Sequence, residues 1–183
     1  MTKNFFKSFR FFDWYLIINI VLLVFFGLAA LYSLQININD PDFTLLKRQV
    51  TFVIIGFIIF FLFSWINYQF WSDYYKIFLI MSFIFLVTVL IVGVSLGGTQ
   101  GWLKFLGQTI QPVEFVKIAL VIFLAKYYSQ HAKDTRAVRH IVITGLTSFL
   151  LVALVILQPD LGSAMILLSI WLVTIFLLPL KKK

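Results

Sequence analysis

The sequence contains no cysteine and only two histidines, and each shortage removes a class of function. Without cysteine there are no disulfides, no thiolate metal sites and no cysteine nucleophile. Both histidines, His131 and His140, fall in a basic loop, so we do not expect them to form a metal site. The sequence also lacks a nucleotide-type glycine loop, a zinc motif and a Ser–His–Asp set that could assemble. No cofactor is therefore assigned to this chain.

Charged residues are scarce as well, at 12% of the 183 residues, whereas 62% are hydrophobic and 22 are phenylalanine. The mean hydropathy of +1.02 is far above that of a soluble domain. The composition therefore predicts an integral membrane protein. The net charge of +8 does not indicate nucleic-acid binding, because the basic residues cluster at the ends of apolar spans, where membrane topology explains them.

The pattern of apolar runs predicts an all-α membrane protein, a polytopic helix bundle with about six transmembrane helices. The predicted spans are residues 15–34, 50–66, 76–95, 112–128, 141–157 and 163–180. We expect them to form a single transmembrane domain over residues 1–183. The first run is too long for the apolar core of a cleavable signal peptide, and no small-residue cleavage site follows it.

The distribution of basic residues predicts the orientation of the spans. With the N-terminus inside, the inner segments hold eleven lysines and arginines and the outer segments hold three. The positive-inside rule then places both termini in the cytoplasm. It also places two polar turns, around residues 97–111 and 158–162, on the outer face.

Residues 97–114 interrupt the apolar runs with four glycines, a tryptophan, a carboxylate and a proline. Pro112 suits the first position of a helix, where its missing N–H removes nothing. We therefore expect Gln111 at the N-cap and Glu114 at the third helical position, near free N–H groups and the positive helix end. The stretch is either an ordinary polar loop between two helices or part of a functional site.

Two charges in this region favour a functional site. Glu114 and Lys117 lie one helical turn apart, at the edge of an apolar run. Each isolated charge costs about 2.5–3.5 kcal/mol at mid-membrane on insertion scales. We therefore expect the two side chains to pair and to line a wet cavity.

A second Gln-Pro turn, Gln158-Pro159-Asp160, is predicted on the same face. Asp160 can cap the start of the following span, which would explain it fully. Alternatively, Asp160 joins Glu114 and the lysine beside it in one polar cluster. Lys47 and Arg48 precede the second span on this side, where they either snorkel to the interface or meet an anionic headgroup or phosphate.

Several stretches resemble the signatures of the SEDS family of bacterial cell-wall proteins. The resemblance rests on residues 98–102 (Gly-Thr-Gln-Gly-Trp), 111–117 (Gln-Pro-Val-Glu-Phe-Val-Lys) and 158–162 (Gln-Pro-Asp-Leu-Gly). Asp13-Trp14 before the first span resembles the rod-shape branch of the family more than its division branch. The family usually has serine at the position of Val113 and often arginine at that of Gly101.

The resemblance implies a glycosyltransferase that polymerises lipid II in the bacterial plasma membrane, together with a class B penicillin-binding protein. It implies a fold of about ten membrane helices, of which this sequence resembles the N-terminal part. The family's proposed catalytic aspartate would lie beyond residue 183, so no catalytic residue is expected here and the chain alone should be inactive. A divalent cation is possible for the complete enzyme. The substrate-cavity residues would be Glu114, Lys117, Asp160, Trp102, Gln111, Gln158, Lys47 and Arg48.

Two other classes of function remain open from the sequence. Charged residues within spans are also typical of transporters, here one that flips a lipid-linked precursor. Transporters often contain internal repeats, however, and only the two short Gln-Pro turns repeat here. The third class is a binding module. Its six helices would lie among the membrane lipids and only dock a partner.

Overall fold

The structure is a computed structural model that describes residues 13–36, 43–105, 108–131 and 137–177. Contacts between Cα atoms divide the chain into two compact units, one up to Ile66 and one from Asn67 onward. The first twelve residues, the stretch Asp40-Pro41-Asp42, residues 132–136 and the terminal lysines lie outside the described residues. The single transmembrane domain stays a prediction.

The first unit is a pair of antiparallel apolar helices, α1 (Trp14–Ile36) and α2 (Thr44–Ser64). The backbone N–H of Leu16 donates to Asp13 Oδ1 at 3.2 Å, at the start of α1. Helix α2 begins at Thr44 and not at residue 50 as predicted, so Lys47 and Arg48 lie within its first turns. The helix can include these two basic residues, because long basic side chains can reach the membrane interface from within a helix end.

The second unit contains the remaining helices and a small sheet. Its described helices are α3 (Tyr68–Asp73), α4 (Tyr75–Val92), α5 (Val113–Gln130), α6 (Ala137–Ile156) and α7 (Leu161–Leu177). Helix α3 lies between the second and third predicted spans, where no helix was expected. The Oδ1 atom of Asn67 accepts from the N–H of Gln69 at 3.0 Å and caps this short helix.

Each of the six predicted spans overlaps one helix, and the bounds differ by at most six residues where the structure describes both. Among the described residues, four helices are long and apolar enough to cross a membrane: Trp14–Ile36, Thr44–Ser64, Tyr75–Val92 and Val138–Ile156. Helix α5 has 18 residues and carries Glu114, Lys117 and Lys126. Helix α7 is apolar and has 17 described residues. The prediction of a multi-pass, all-α membrane protein is confirmed.

Helices α4 to α7 enclose the hydrophobic core of the second unit. The buried side chains include Leu86, Leu120, Leu124, Leu151, Val155 and Leu167. Helices α6 and α7 approach closely at Gly145, where an added Cβ would lie 2.9 Å from Cζ2 of Trp171. The core therefore fixes how the ends of these four helices are arranged.

The glycine-rich stretch forms a three-stranded antiparallel sheet and not an ordinary polar loop. Its strands are β1 (Val94–Leu96), β2 (Thr99–Phe105) and β3 (Gln108–Ile110), in the order β1-β2-β3. Gly97 and Gly98 have φ angles of 60° and 85°. Two successive residues with positive φ are what a tight type I′ hairpin turn requires, which explains the glycine pair.

Candidate functional site

The two Gln-Pro turns meet in the structure although they are far apart in sequence. The side-chain amide of Gln111 donates from Nε2 to Oδ2 of Asp160 at 2.8 Å, across 49 residues. This bond joins the start of α5 to the start of α7. The two turns therefore lie at one end of the bundle and form one structural site.

Asp160 caps helix α7, as the sequence indicated. Its Oδ1 accepts from the N–H of Ser163 at 2.9 Å, and its Oδ2 accepts from the Ser163 hydroxyl at 2.7 Å. The residue is only 9% exposed. With Gln111 also donating to Oδ2, both carboxylate oxygens are engaged. Asp160 is thus the cap of α7 and the partner of Gln111. Its membership of one cluster with Glu114 and Lys117 stays a prediction.

Gln158 connects the site to the sheet and to α4. Its side chain is buried, at 1% exposure, and Nε2 donates to the carbonyl of Leu86 at 3.2 Å. Its own carbonyl accepts from the N–H of Gln100, on β2, at 3.1 Å. A Cβ at Gly101 would lie 3.4 Å from Nε2 of Gln111 and 3.6 Å from Oε1 of Gln158. Glycine at this position therefore lets β2 pass close to both glutamines.

Glu114 and Lys117 form the expected ion pair. Lys117 Nζ lies 2.7 Å from Glu114 Oε1, at the i, i+3 spacing of α5. The lysine side chain is 17% exposed, whereas the glutamate is 59% exposed. Glu114 lies in the first turn of the helix, where the positive end of the helix dipole also favours its charge.

The expected N-cap role of Gln111 is wrong. Helix α5 begins at Val113, and its N-cap is Pro112, with no side-chain capping bond. The Gln111 carbonyl accepts from the N–H of Glu114 at 3.2 Å. The Gln111 side chain is directed to Asp160, because a charged acceptor makes a stronger hydrogen bond than a neutral one.

Trp102 lies on β2 opposite Val94, next to Gly101. Its indole Nε1 is buried and has no hydrogen-bond partner among the described residues. A buried donor without a partner is uncommon in a native protein. This N–H is consequently an unsatisfied buried donor of the site.

Lys47 and Arg48 belong to the first unit and lie on α2. The Arg48 guanidinium lies 5.6 Å from the centre of the Phe52 ring, and the Lys47 carbonyl accepts from the Thr51 hydroxyl at 2.9 Å. Their membership of a substrate cavity stays a prediction. The site in the second unit is built without them.

The opposite end of the second unit holds the two histidines. The placement of both in a loop is wrong for His140, which lies in α6, is buried and forms a 3.0 Å hydrogen bond between Nδ1 and the Tyr127 hydroxyl. Nδ1 of His131 bonds the Tyr127 carbonyl at 2.7 Å. Across the described part of the chain, no three His, Asp or Glu side chains come close enough to hold a metal ion.

Sequence reasoning missed the partners that complete the site, namely Gln100, Leu86 and Ser163. Two of these contribute backbone atoms, which carry no residue signature. Ser163 follows Asp160 by three residues, a spacing that is typical of a helix cap and could have identified it. The site as a whole offers one largely buried ammonium group, one unpaired indole donor and a frame of amide and carboxylate groups.

Comparison with known proteins gives a consistent assignment over nearly the whole chain. The family model described as cell cycle protein, for FtsW, RodA and SpoVE, matches residues 13–182. Stage V sporulation protein E of Bacillus subtilis is 33% identical over 171 residues, which are 90% of this chain and 47% of the relative. A probable peptidoglycan glycosyltransferase FtsW of Trichlorobacter lovleyi is 32% identical over 184 residues, covering 93% of this chain and 47% of the relative.

Solved structures agree with the sequence matches. The rod shape determining protein RodA of Thermus thermophilus superposes with a TM-score of 0.78 at 26% identity, over 93% of this chain and 56% of that one. A chain of a peptidoglycan synthase complex that coordinates polymerization and crosslinking gives 0.80 at 27% identity, over 93% and 48%. This chain thus spans about half the length of the relatives it matches. Because the family match, the sequence relatives and the fold agree, the chain belongs to the FtsW/RodA/SpoVE family, the SEDS family of polytopic membrane proteins.

Proposed function

We propose that this protein acts in bacterial cell-wall synthesis, as the lipid II-binding part of a membrane-embedded peptidoglycan glycosyltransferase. Relatives named as probable peptidoglycan glycosyltransferases support the reaction class. The chain itself supports the binding role. It brings Gln111, Gln158 and Asp160 together at the end of the helix bundle where Glu114 and Lys117 also lie.

The observation that carries this proposal is the hydrogen bond between Gln111 and Asp160. It brings the starts of α5 and α7 together, and the Gln100–Gln158 bond adds the sheet to the same end. Lys117 lies one turn into α5, and its side chain is 17% exposed. Polar groups are retained at such a position in a membrane protein mainly when they serve a polar ligand or a wet cavity.

Lipid II is a polyprenyl diphosphate that carries a disaccharide, and each part suits a different group of the site. Lys117 can contact the diphosphate as a point charge. The half-buried Trp102 ring can stack on a sugar ring. Gln111, Gln158 and Asp160 act as positioning residues, because their polar atoms are used in bonds within the protein. Lys47 and Arg48 are proposed as further phosphate contacts.

The described acids at this end are proposed not to act as the catalytic base. Glycosyl transfer requires a base within hydrogen-bond reach of the attacking hydroxyl. Both oxygens of Asp160 already accept hydrogen bonds, and Glu114 is paired with Lys117 at 2.7 Å. These residues therefore bind and position the substrate.

The partner and the location follow from the same reasoning. A class B penicillin-binding protein is the proposed partner, because one structural relative belongs to a complex that couples polymerization to crosslinking. The proposed location is the bacterial plasma membrane, with both termini in the cytoplasm and the site on the outer face. A divalent cation for the reaction would need ligands beyond those that the described residues bring together.

Native mass spectrometry of the protein in lipid nanodiscs that contain lipid II tests the binding role. We expect the wild-type protein to retain lipid II in preference to phosphatidylglycerol. The double variant Lys117→Met/Glu114→Gln removes both charges without leaving one unpaired, and it should weaken retention about tenfold, or about 1.4 kcal/mol. Lys126→Ala is the matched control, since this lysine pairs with Asp73 at the other end of the unit. Equal retention of lipid II and phosphatidylglycerol by the wild type would refute the proposal.

A further inference from the structure

A groove on the second unit runs between α5 and α7. Its volume is about 400 Å³. Its lining residues are Val121, Ile166, Ser169, Ile170, Val173 and Thr174. Four of the six are aliphatic, so the groove is suited to a hydrocarbon chain.

The two hydroxyls in the groove do not require a polar ligand. The Ser169 hydroxyl donates to the Met165 carbonyl at 2.8 Å, and the Thr174 hydroxyl donates to the Ile170 carbonyl at 2.7 Å. Their hydrogens are therefore used within α7. What remains at the groove surface is apolar.

The groove starts close to the polar site. Val121 follows Lys117 by four residues and lies on the same face of α5, one turn further from the start of the helix. Along α7, the lining extends from Ile166 to Thr174, which is about 12 Å at 1.5 Å per residue. The groove therefore leads away from the Gln111–Asp160 end, along the direction of the helices.

We propose that this groove holds the first part of the polyprenyl chain of the lipid-linked substrate, with the diphosphate next to Lys117. The inference rests on the proposed function and adds a second subsite to it. The charge of the lysine complements the diphosphate, and the aliphatic lining complements the isoprenoid units. One molecule would then contact both parts of the surface.

The groove sets the direction of the chain more than the strength of binding. Membrane lipid tails are as apolar as leucine, so moving a polyprenyl chain from the bilayer into the groove yields little hydrophobic free energy. Shape and position remain as the useful effects. A chain held between α5 and α7 fixes the diphosphate at the end of α5 and so orients the attached sugars.

Photo-crosslinking in vesicles of phosphatidylethanolamine and phosphatidylglycerol tests the proposal, with lipid II that carries a fluorophore on its peptide. A diazirine amino acid is placed at Val173 in the groove, at Met165 as an exposed control that does not line the groove, or at Phe115 near the polar site. We expect illumination to attach about tenfold more fluorescent lipid II to the Val173 variant than to the Met165 variant. Unlabelled lipid II should compete.

A filled groove provides the matched comparison. Ser169→Phe should abolish the labelling at Val173 while leaving that at Phe115, whereas Met165→Phe should leave both. Labelling at Phe115 without labelling at Val173 would overturn the groove but not the proposed function. Labelling at neither position would overturn both. A protein crosslink at Val173 in place of lipid would show that another membrane helix covers the groove, which also overturns the inference.

Discussion

Gln158 shows how single buried contacts hold the site together. Its side chain satisfies the Leu86 carbonyl, and its backbone carbonyl holds β2 through Gln100. Such a residue connects three elements at once. At the residue scale, the stability of the site depends on a few contacts of this kind.

Replacing Gln158 by leucine should destabilise the second unit. The Leu86 carbonyl would lose its donor and remain buried, which costs about 1–3 kcal/mol. We expect a lower thermal unfolding midpoint in detergent, as measured by circular dichroism. Gln69→Leu, at an exposed position on α3, should leave the midpoint unchanged. Equal midpoints for the two variants would contradict the described role of Gln158.

Gly145→Ala should be destabilising although alanine is the better helix former. The added Cβ would lie 2.9 Å from the Trp171 ring, whose Nε1 donates to Thr144 at 3.3 Å and so holds the ring in place. Overpacking of this kind costs about 1–3 kcal/mol. Gly27→Ala is the control, because an added Cβ there meets no atom within 4 Å and helix propensity should make it neutral or stabilising. Thermal unfolding midpoints of the two variants provide the measurement. A midpoint for Gly145→Ala as high as that for Gly27→Ala would contradict the close approach of the two helices.

Whether a contact could be predicted from the sequence depended on how many residues separate its two partners along the chain. The Glu114–Lys117 pair and the Asp160 cap could be predicted, since each involves residues three positions apart. The partner of Gln111 could not be predicted, because Asp160 is 49 residues away and only the packing of α5 against α7 brings them together. The local capping pattern gave the wrong role to Gln111 for the same reason.

At the scale of elements, the sheet between α4 and α5 is the part that sequence patterns did not reveal. Long apolar runs predict helices well, because the length needed to cross a bilayer is fixed. Strands β1 and β3 have only three residues each, and β2 contains a glycine. Such short strands show no clear alternation, and the bond from the Gln100 N–H to the Gln158 carbonyl ties β2 to the α6–α7 turn.

The hairpin turn should require a residue that tolerates positive φ. Gly98 has a φ of 85°, so Gly98→Ala should cost about 1–2 kcal/mol in the turn. Gly98→Asn should be milder, because asparagine adopts such angles more readily. Hydrogen exchange of the β1–β2 amides should accelerate in the alanine variant and little in the asparagine variant. Unchanged exchange in Gly98→Ala would contradict the turn geometry.

The ion pair of α5 should show positive coupling in a double-mutant cycle. Glu114→Gln or Lys117→Met alone leaves one charge without a partner, so each should cost more than the double change. Coupling between contacting residues is typically about 0.5–3 kcal/mol, and the lower end is expected here because Glu114 is 59% exposed. Unfolding free energies of the four proteins provide the measurement. Additive effects would mean that the pair contributes nothing.

At the scale of the whole molecule, composition and motifs were sufficient for the class of protein and its family. The apolar content predicted the helix bundle, and the two Gln-Pro turns with the glycine-rich stretch predicted the family that the comparisons show. The membership of Lys47 and Arg48 in the site could not be decided from sequence, because it depends on long-range packing.

The topology can be tested directly, since the chain has no cysteine of its own. Gln100→Cys should react with a membrane-impermeant thiol reagent added to intact cells with a permeable outer membrane. Gln130→Cys, an exposed position at the opposite end of α5, should react only after lysis. The reverse pattern would place the site on the cytoplasmic face and overturn the proposed orientation.

A polymerisation assay tests most directly the central claim that Glu114, Lys117 and Asp160 bind and position lipid II and do not catalyse the transfer. The purified chain is incubated with fluorescent lipid II, a divalent cation and a class B penicillin-binding protein, and the products are separated on a gel. We predict retained lipid II and no glycan strands. Glycan product that disappears in the Glu114→Gln variant would contradict the account, because it would make Glu114 the catalytic residue.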